Sequence, residues 1–216
     1  MKIACVGYRD WSLSIYKRLE ESLSDFEFLI QNSVENFSEN EIRKFVPNYV
    51  LFYGWSSMIS ENFINDHKCL MLHPSPLPKY RGGSPIQNQI IRGEINSAVT
   101  IFIMDKGIDT GPICRQAFLS LDGNLKDILK SIEDIGFSLT LDIFKNGTNE
   151  YEQDQSRATQ FKRLKPEMSE ITLSELANKD SKYLNNKIRM LQDPYPNPYI
   201  RSRDGKKLYI KTLFKN

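Results

Sequence analysis

Apolar positions in the first two thirds of the chain fall alternately into short continuous runs and into stripes at helical spacing. Lys2–Gly7 is one such run and reads as a strand. Trp11, Ile15, Leu19 and Leu23 then recur four residues apart, the spacing of a single buried helical face. Phe26–Ile30 and Tyr49–Tyr53 predict two more strands. Between them, Ser38-Glu39-Asn40-Glu41 has the form of a capping box, in which Ser38 and Glu41 satisfy each other's free amides, and Pro47 closes the helix. Ser60 caps a short helix through Ile64, and Cys69–Leu72 is a fourth strand. Its unbroken apolarity suits a strand covered on both faces, as in a parallel sheet. Ser84-Pro85 marks an N-cap followed by proline at the first helical position, with Gly93 as the stop. Ala98–Met104 and Ile113–Leu119 read as strands, and Asn124–Lys145, with Leu125, Ile128, Leu129, Ile132 and Ile135 in phase, as a long helix ending at Gly147.

The pattern changes after that helix. Residues 146–160 are polar and aperiodic and are expected to form a linker or wrapping segment. Residues 161–216 predict one helix, Lys182–Leu191, ended by Asp193-Pro194-Tyr195-Pro196, and then a hairpin. Asp204-Gly205, between Tyr199–Arg201 and Lys207–Leu213, is a type I′ turn signal. The chain therefore divides into a catalytic unit, 1–150, and a linker with a short C-terminal subdomain, 151–216. Alternating strands and helices predict an α/β fold: an open, mostly parallel, Rossmann-like sheet with helices on both faces, plus a small C-terminal helix and hairpin. Sites in such sheets lie beyond the carboxyl ends of the strands. Gly7-Tyr8-Arg9, Gly54-Trp55-Ser56, the loop after Leu72 and the loop after Met104 all follow strands, so they are expected to converge on one edge.

Composition narrows the classes. The 216 residues are 40% apolar and 26% charged, a globular balance, with a net charge of +2. So small a charge gives little field for a polyanion and disfavours a nucleic-acid partner. Cys5, Cys69 and Cys114 are far apart and lack metal or redox spacing. The opening Met1–Gly7 run is too brief for a signal peptide, and no apolar stretch approaches the ~18 residues needed to cross a bilayer. A soluble, cytoplasmic protein that is not on a membrane is expected.

Two residues carry the candidate chemistry. The chain has two histidines. His67 sits at a polar helix end, where a solvated or capping role is natural. His73 stands where a strand enters His73-Pro74-Ser75-Pro76-Leu77-Pro78-Lys79-Tyr80-Arg81-Gly82-Gly83-Ser84-Pro85, a proline-stiffened loop. A lone histidine is more often structural, but a strand end, a rigid loop and an aspartate partner point to proton transfer. That partner is Asp109, in Met104-Asp105-Lys106-Gly107-Ile108-Asp109-Thr110-Gly111; Asp105 suits the turn and leaves Asp109 for the cleft. Trp55, Met58 and Ile59 are either core or an apolar slot for a flat heteroaromatic ring. Arg9, Lys79 and Arg81, on loops at one edge, suit an anionic substrate group. The first strand lacks a G-x-G-x-x-G turn, which argues against a dinucleotide ligand, and one well-placed histidine without a ligand cluster argues against a metal.

The His73–Gly82 run, with Ser84-Pro85-Ile86-Gln87 and Met104-Asp105-x-Gly107-Ile108-Asp109-Thr110-Gly111, resembles the 10-formyltetrahydrofolate-dependent formyltransferase family. That family includes methionyl-tRNA, glycinamide ribonucleotide and sugar N-formyltransferases. The likeness is dense over 69–113 and looser over the rest of the first 150 residues. Arg163-Leu164-Lys165-Pro166-Glu167 and Asp193-Pro194-Tyr195-Pro196 look like a shortened form of the family's appended domain. The resemblance implies an Asn-x-His…Asp triad in which His73 and Asp109 match and Met71 stands in the Asn place, where a thioether cannot donate a hydrogen bond. His73 in its cationic form, a backbone amide of the 73–76 loop, or a water is the expected substitute donor.

It also implies 10-formyltetrahydrofolate as cosubstrate, with Gly54, Trp55, Met58, Ile59, Met104, Gly107 and Ile108 around it. Acceptor contacts are expected from Arg9, Lys79, Tyr80, Arg81, Gly83, Ser84 and Gln87. The expected acceptor is a nucleotide-linked amino sugar, as in glycan biosynthesis, because the tRNA-directed appended domain looks truncated. A methionyl-tRNA formyltransferase and a catalytically silent folate-binding module are the alternatives, and the C-terminal unit is an expected homodimer contact.

Overall fold

The computed structural model describes residues 1–211. Its centre is a six-stranded sheet in the order β2-β1-β3-β4-β6-β7, with β1 at Lys2–Val6, β2 at Glu27–Gln31, β3 at Tyr49–Tyr53, β4 at Cys69–His73, β6 at Asn96–Ile103 and β7 at Ile113–Ser120. The first four strands pair in parallel, while β6 runs antiparallel to β4 and β7 antiparallel to β6. A mostly parallel α/β sheet is therefore present, as expected, but its last two strands turn back. This has a consequence for the site. Ile103 lies opposite Leu70, and the Met104 amide donates to the Cys69 carbonyl at 2.9 Å, so the loop after β6 leaves from the amino end of β4.

Helices cover both faces. α1 (Asp10–Ser22), α4 (Pro85–Ile91) and α5 (Leu125–Asn146) bury Ile15, Leu19, Ile86, Ile90, Ile128 and Ile132 against Ile3, Cys5, Leu51, Leu70 and Leu72. On the other face, α2 (Glu39–Phe45) and α3 (Glu61–Asp66) place Ile42 and Phe63 over Ala4, Val6, Val50, Phe52 and Cys69. All three cysteines are buried and free. Burial pushes the thiols of Cys69 and Cys114 up to about 12. Among the described residues no helix is long and apolar enough to cross a membrane.

Several local expectations shift. Ser38 does cap α2 by accepting the Glu41 amide at 3.3 Å, but the reciprocal bond is absent: the Glu41 carboxylate accepts from Gln31 Nε2 at 2.8 Å, and the Ser38 amide donates to Gln31 Oε1 at 3.0 Å. A buried glutamine outcompeted the box. Ser84 precedes α4 in a left-handed conformation (φ 51°) and does not cap it, because its hydroxyl accepts from the Leu164 amide at 3.1 Å instead. The hairpin of β9 (Tyr199–Arg201) and β10 (Lys207–Tyr209) is joined by five residues, and of the Asp204-Gly205 pair only Gly205 has a positive φ, so the turn is not type I′. The last part of the expected Lys207–Leu213 strand lies outside the described residues.

The C-terminal unit holds a helix the periodicity did not reveal, α6 (Leu173–Asn178), before α7 (Ser181–Met190). α6 has no buried residue, so it leaves no apolar stripe to read. α7 locks onto the first unit: Arg189 donates to the carbonyls of Leu121 and Gly123 at 2.7 and 3.0 Å, and Met190 and Leu191 join the core beside α1 and α5.

Where β1 and β3 part, the buried Tyr16 hydroxyl sits between them, donating to the Val6 carbonyl at 2.9 Å and accepting the Tyr53 amide at 2.8 Å. Gly7 passes so near that a β-carbon there would lie 2.1 Å from the Tyr53 carbonyl oxygen. Gly7→Ala should therefore destabilise the fold by about 1–3 kcal/mol through overpacking. A chemical denaturation midpoint that does not move would show that the strands can spread at no cost.

Candidate active site

β4 delivers His73 to the sheet edge, and the loop that follows is held by its carbonyls. Thr100 Oγ1 donates to Ser75 O at 2.6 Å, Gln89 Nε2 to Pro74 O at 2.9 Å, and the buried Ser75 hydroxyl to Lys79 O at 2.8 Å. Tyr80 is in the left-handed region (φ 61°), which turns its carbonyl onto His73 Nε2 at 2.8 Å. A carbonyl only accepts, so Nε2 carries the hydrogen. The other ring nitrogen, Nδ1, is 3.5 Å from Asp109 Oδ2. Both residues are buried, at 5% and 9% exposure.

Asp109 reaches this position by a route the strand order makes unusual. From Met104 the chain doubles back along β4 toward His73. Asp105 ties the turn, accepting from the Gly107 amide at 2.9 Å and from Thr110 Oγ1 at 2.6 Å. Gly111 has no room for a β-carbon, which would lie 1.9 Å from Ile103 O. Asp109 then emerges with φ 55°, and its Oδ2 accepts the Gly82 amide at 2.7 Å. Convergence on one edge is thus achieved by a folded-back loop, not by the carboxyl end of a parallel strand.

The remaining walls come from the segment after α5. Tyr151 bridges to Ile113, and β8 (Gln160–Phe161) pairs in parallel with β5 (Arg81–Gly82). Gln153 is buried within it. Its Oε1 accepts from Arg81 Nε and Nη2 at 3.1 and 2.6 Å, and its Nε2 donates to the carbonyls of Asp109 and Gly111 at 3.0 and 2.7 Å. One carboxamide therefore clamps the two loops that present His73 and Asp109. Sequence reading missed it, since a glutamine in a polar, aperiodic stretch gives no local signal of burial.

The expected contact residues separate into groups. Arg81 is not a free surface cation: it is 6% exposed and bonded to Gln153 and Gln155, because β8 closes over it. Tyr80 stacks on Phe161 (4.9 Å), and its hydroxyl donates to Glu94 at 2.8 Å; burial first, then that carboxylate, pushes the phenol up to about 12. Gly83 abuts the Arg163 backbone. These residues, with Ser84, face the crossing segment. Lys79 is exposed, and Arg9 lies over the rings of Tyr8 and Tyr195 at 5.1 and 5.7 Å. Gln87 is buried with no partner for Nε2.

Trp55 and Ile59 are buried in the cluster against which Met71 and Met104 pack, so they form the backing of any slot and not its open wall. Trp55 Nε1 is also without a partner. Met58 and Ile108, at 85% and 52% exposure, are the open apolar side chains, and Gly107 and Gly54 sit in the adjoining turns. Gly54 (φ 64°) passes close to Arg9 and Ser12.

Met71 lies half-buried between two apolar groups, Trp55 with Ile59 and Leu77 with Phe102 and Ile113. In the loop after His73, Pro74 and Pro76 have no N–H, and the Ser75 amide donates to His73 O at 2.9 Å.

A buried histidine–aspartate pair against an α/β sheet, on a proline-rich loop, defines a candidate acid–base transferase site. The formyl transferase family model matches residues 21–133, just over half of the chain, and the chain belongs to that family. It is 31% identical over 166 residues to a methionyl-tRNA formyltransferase of Campylobacter curvus, covering 75% of this chain and 53% of the relative. The chain thus spans about half the length of the curated relatives it matches. A methionyl-tRNA formyltransferase structure from Clostridium thermocellum superposes with TM-score 0.86 at 27% identity over 100% of both chains. A sugar N-formyltransferase from a Shewanella species shares the fold, with TM-score 0.78 at 17% identity over 100% and 99% of the two chains.

Gln153→Leu should lower stability by about 1–3 kcal/mol, because it strands the buried Arg81 guanidinium and two carbonyls. Thermal unfolding reads this out, and an unshifted midpoint would mean that Gln155 alone satisfies Arg81.

Proposed function

We propose that this protein transfers a formyl group from 10-formyltetrahydrofolate to a primary amine, with His73 and Asp109 as its catalytic residues. The observation that carries this is the His73–Asp109 pair, 3.5 Å apart and buried in a formyl transferase domain. The exposed Met58 and Ile108, with the half-buried Met71 and Met104 packed against the Trp55–Ile59 cluster, fit a flat heteroaromatic cosubstrate. When bound, that cosubstrate supplies an electrophilic formyl carbon.

The residues of the chain then have distinct tasks. A neutral amine attacks the formyl carbon, and the bond from that carbon to the folate nitrogen breaks. His73 takes the amine proton and returns it to the departing folate nitrogen, while Asp109 orients the ring and stabilises its charge. His73 Nε2 is held by the Tyr80 carbonyl in this structure, so proton transfer through that nitrogen requires the contact to open as substrates settle. With Met71 in place of an amide, and with the Ser75 amide bonded and Pro74 and Pro76 lacking one, an ordered water is the simplest partner for the developing oxyanion. Positioning two substrates together contributes about 7–11 kcal/mol, more than the roughly 3–4 kcal/mol lost with one oxyanion donor.

The acceptor in this proposal is a nucleotide-linked amino sugar, supported by the weak net charge of +2. Methionyl-tRNA is the second acceptor, favoured by the sequence relatives, which are methionyl-tRNA formyltransferases. Pairing of two copies through the C-terminal unit is consistent with the exposed Leu173, Leu176, Leu208 and Tyr209. Three free, buried cysteines suit the reducing cytoplasm.

Formyl transfer measured on a panel of amino-sugar nucleotides and on methionyl initiator tRNA should show turnover with one class. His73→Asn should lower kcat by about 10²–10⁴. Folate binding without turnover on any acceptor would sink the proposal in favour of a silent binding module. Met71→Asn should raise kcat by about 10²-fold if the missing donor limits the rate; an unchanged kcat would show that a water already fills that role.

A further inference from the structure

A cavity of about 830 Å³ among the described residues is lined by neither His73 nor Asp109. It lies on the far side of the crossing segment, between α4, residues 161–170 and α7. Phe161 forms part of the partition: Tyr80 stacks on its ring at 4.9 Å, and the Arg92 guanidinium lies over it at 4.1 Å. Gly83 meets the Arg163 backbone so tightly that a β-carbon would lie 2.5 Å from it. The cavity is therefore walled off from the histidine–aspartate pair.

Its lining is asymmetric in charge. Lys187 is neutralised by Glu175 at 2.7 Å, and Glu170 by Arg201, at 3.2 Å. Arg92, Lys162, Arg163 and Lys165 remain, all exposed, and none has a carboxylate within ion-pair distance among the described residues. Besides lying over Phe161, Arg92 donates to the carbonyl and side-chain oxygens of Asn88, both neutral. Among the described residues, Glu167 is the one lining carboxylate without an ion pair. Ile91, Leu164, Met168 and Met190 add apolar surface to the lining.

We infer that this cavity is a second ligand site, for a phosphate-bearing small molecule of nucleotide size. Four unneutralised cations suit two phosphoryl groups, and arginine presents a fork that matches phosphate oxygens. The methionines and aliphatics provide an adaptable apolar seat for the body of such a ligand. The volume falls within the range of about 300–1,000 Å³ that small-molecule sites occupy. This inference stands apart from the formyl-transfer proposal, since it requires no chemistry at His73.

Calorimetric titration of the full chain with uridine diphosphate at low salt tests it, with inorganic pyrophosphate as the phosphate-only probe. Uridine diphosphate should bind, and more tightly than pyrophosphate, because it also covers the apolar wall. The exposed double substitution Lys162→Glu with Lys165→Glu should weaken binding at least about tenfold. Met168→Trp, which fills the cavity from its rim without changing charge, should weaken it similarly, and His73→Asn should leave it unaltered. No binding at millimolar ligand overturns the inference, as does binding indifferent to both cavity variants, which would seat the nucleotide elsewhere. If uridine diphosphate fails but the charge reversal weakens binding of initiator tRNA, the strip is an RNA contact and the small-molecule site is refuted.

Discussion

The Asp109 carboxylate is the joint on which the catalytic end depends. One of its oxygens accepts the Gly82 amide at 2.7 Å and stands 3.5 Å from His73 Nδ1. Three separate pieces of chain meet there: the end of β4, the far side of its loop, and the turn after β6. A charge buried at 9% exposure persists only if it is bonded or paired, so the carboxylate draws these pieces into a single geometry. That geometry in turn leaves His73 with an oxygen beside each ring nitrogen.

Such a joint needs support, and it comes from a segment remote in sequence. Tyr80, Ser84 and Asp109 all lie in the left-handed region, which costs roughly 1–2 kcal/mol for each such residue. The crossing segment holds them there. Thr159 Oγ1 accepts the Tyr80 amide at 2.9 Å, Ser84 Oγ accepts the Leu164 amide at 3.1 Å, and Gln153 Nε2 takes up the Asp109 carbonyl at 3.0 Å. Backbone strain of this kind is common where a reacting group must be aimed, because surrounding bonds over-determine the conformation. Arg81 belongs to the same support. Its charge, which on a surface could serve a substrate, is committed to two glutamines inside the fold.

Met71 shows how far packing can move the chemistry of one position. It lies between two apolar groups, where a thioether is comfortable and an amide would need a partner of its own. The face of β4 that leads to His73 is accordingly drier than an Asn-x-His arrangement would make it. Buried donors without partners do occur nearby in the fold, Trp55 Nε1 among them.

The period of the apolar residues was enough to place most strands and helices, since a strand covered on both faces and an amphipathic helix each leave a local mark. α5 runs Leu125–Asn146 against an expected Asn124–Lys145, and the Cys69–Leu72 run became β4 with one added residue. His73 and Asp109 could be singled out because a histidine at a strand end and an aspartate between glycines are locally unusual. Strand direction was not local information. Whether β6 runs with β4 or against it depends on which edge the returning chain meets, and the same apolar run serves either way. Nor could the sequence show that Gln153 is buried or that Arg81 faces inward. Those roles exist only once residues 151–164 cross the loops, because the fate of a polar side chain is decided by hydrogen bonds to partners more than forty residues away.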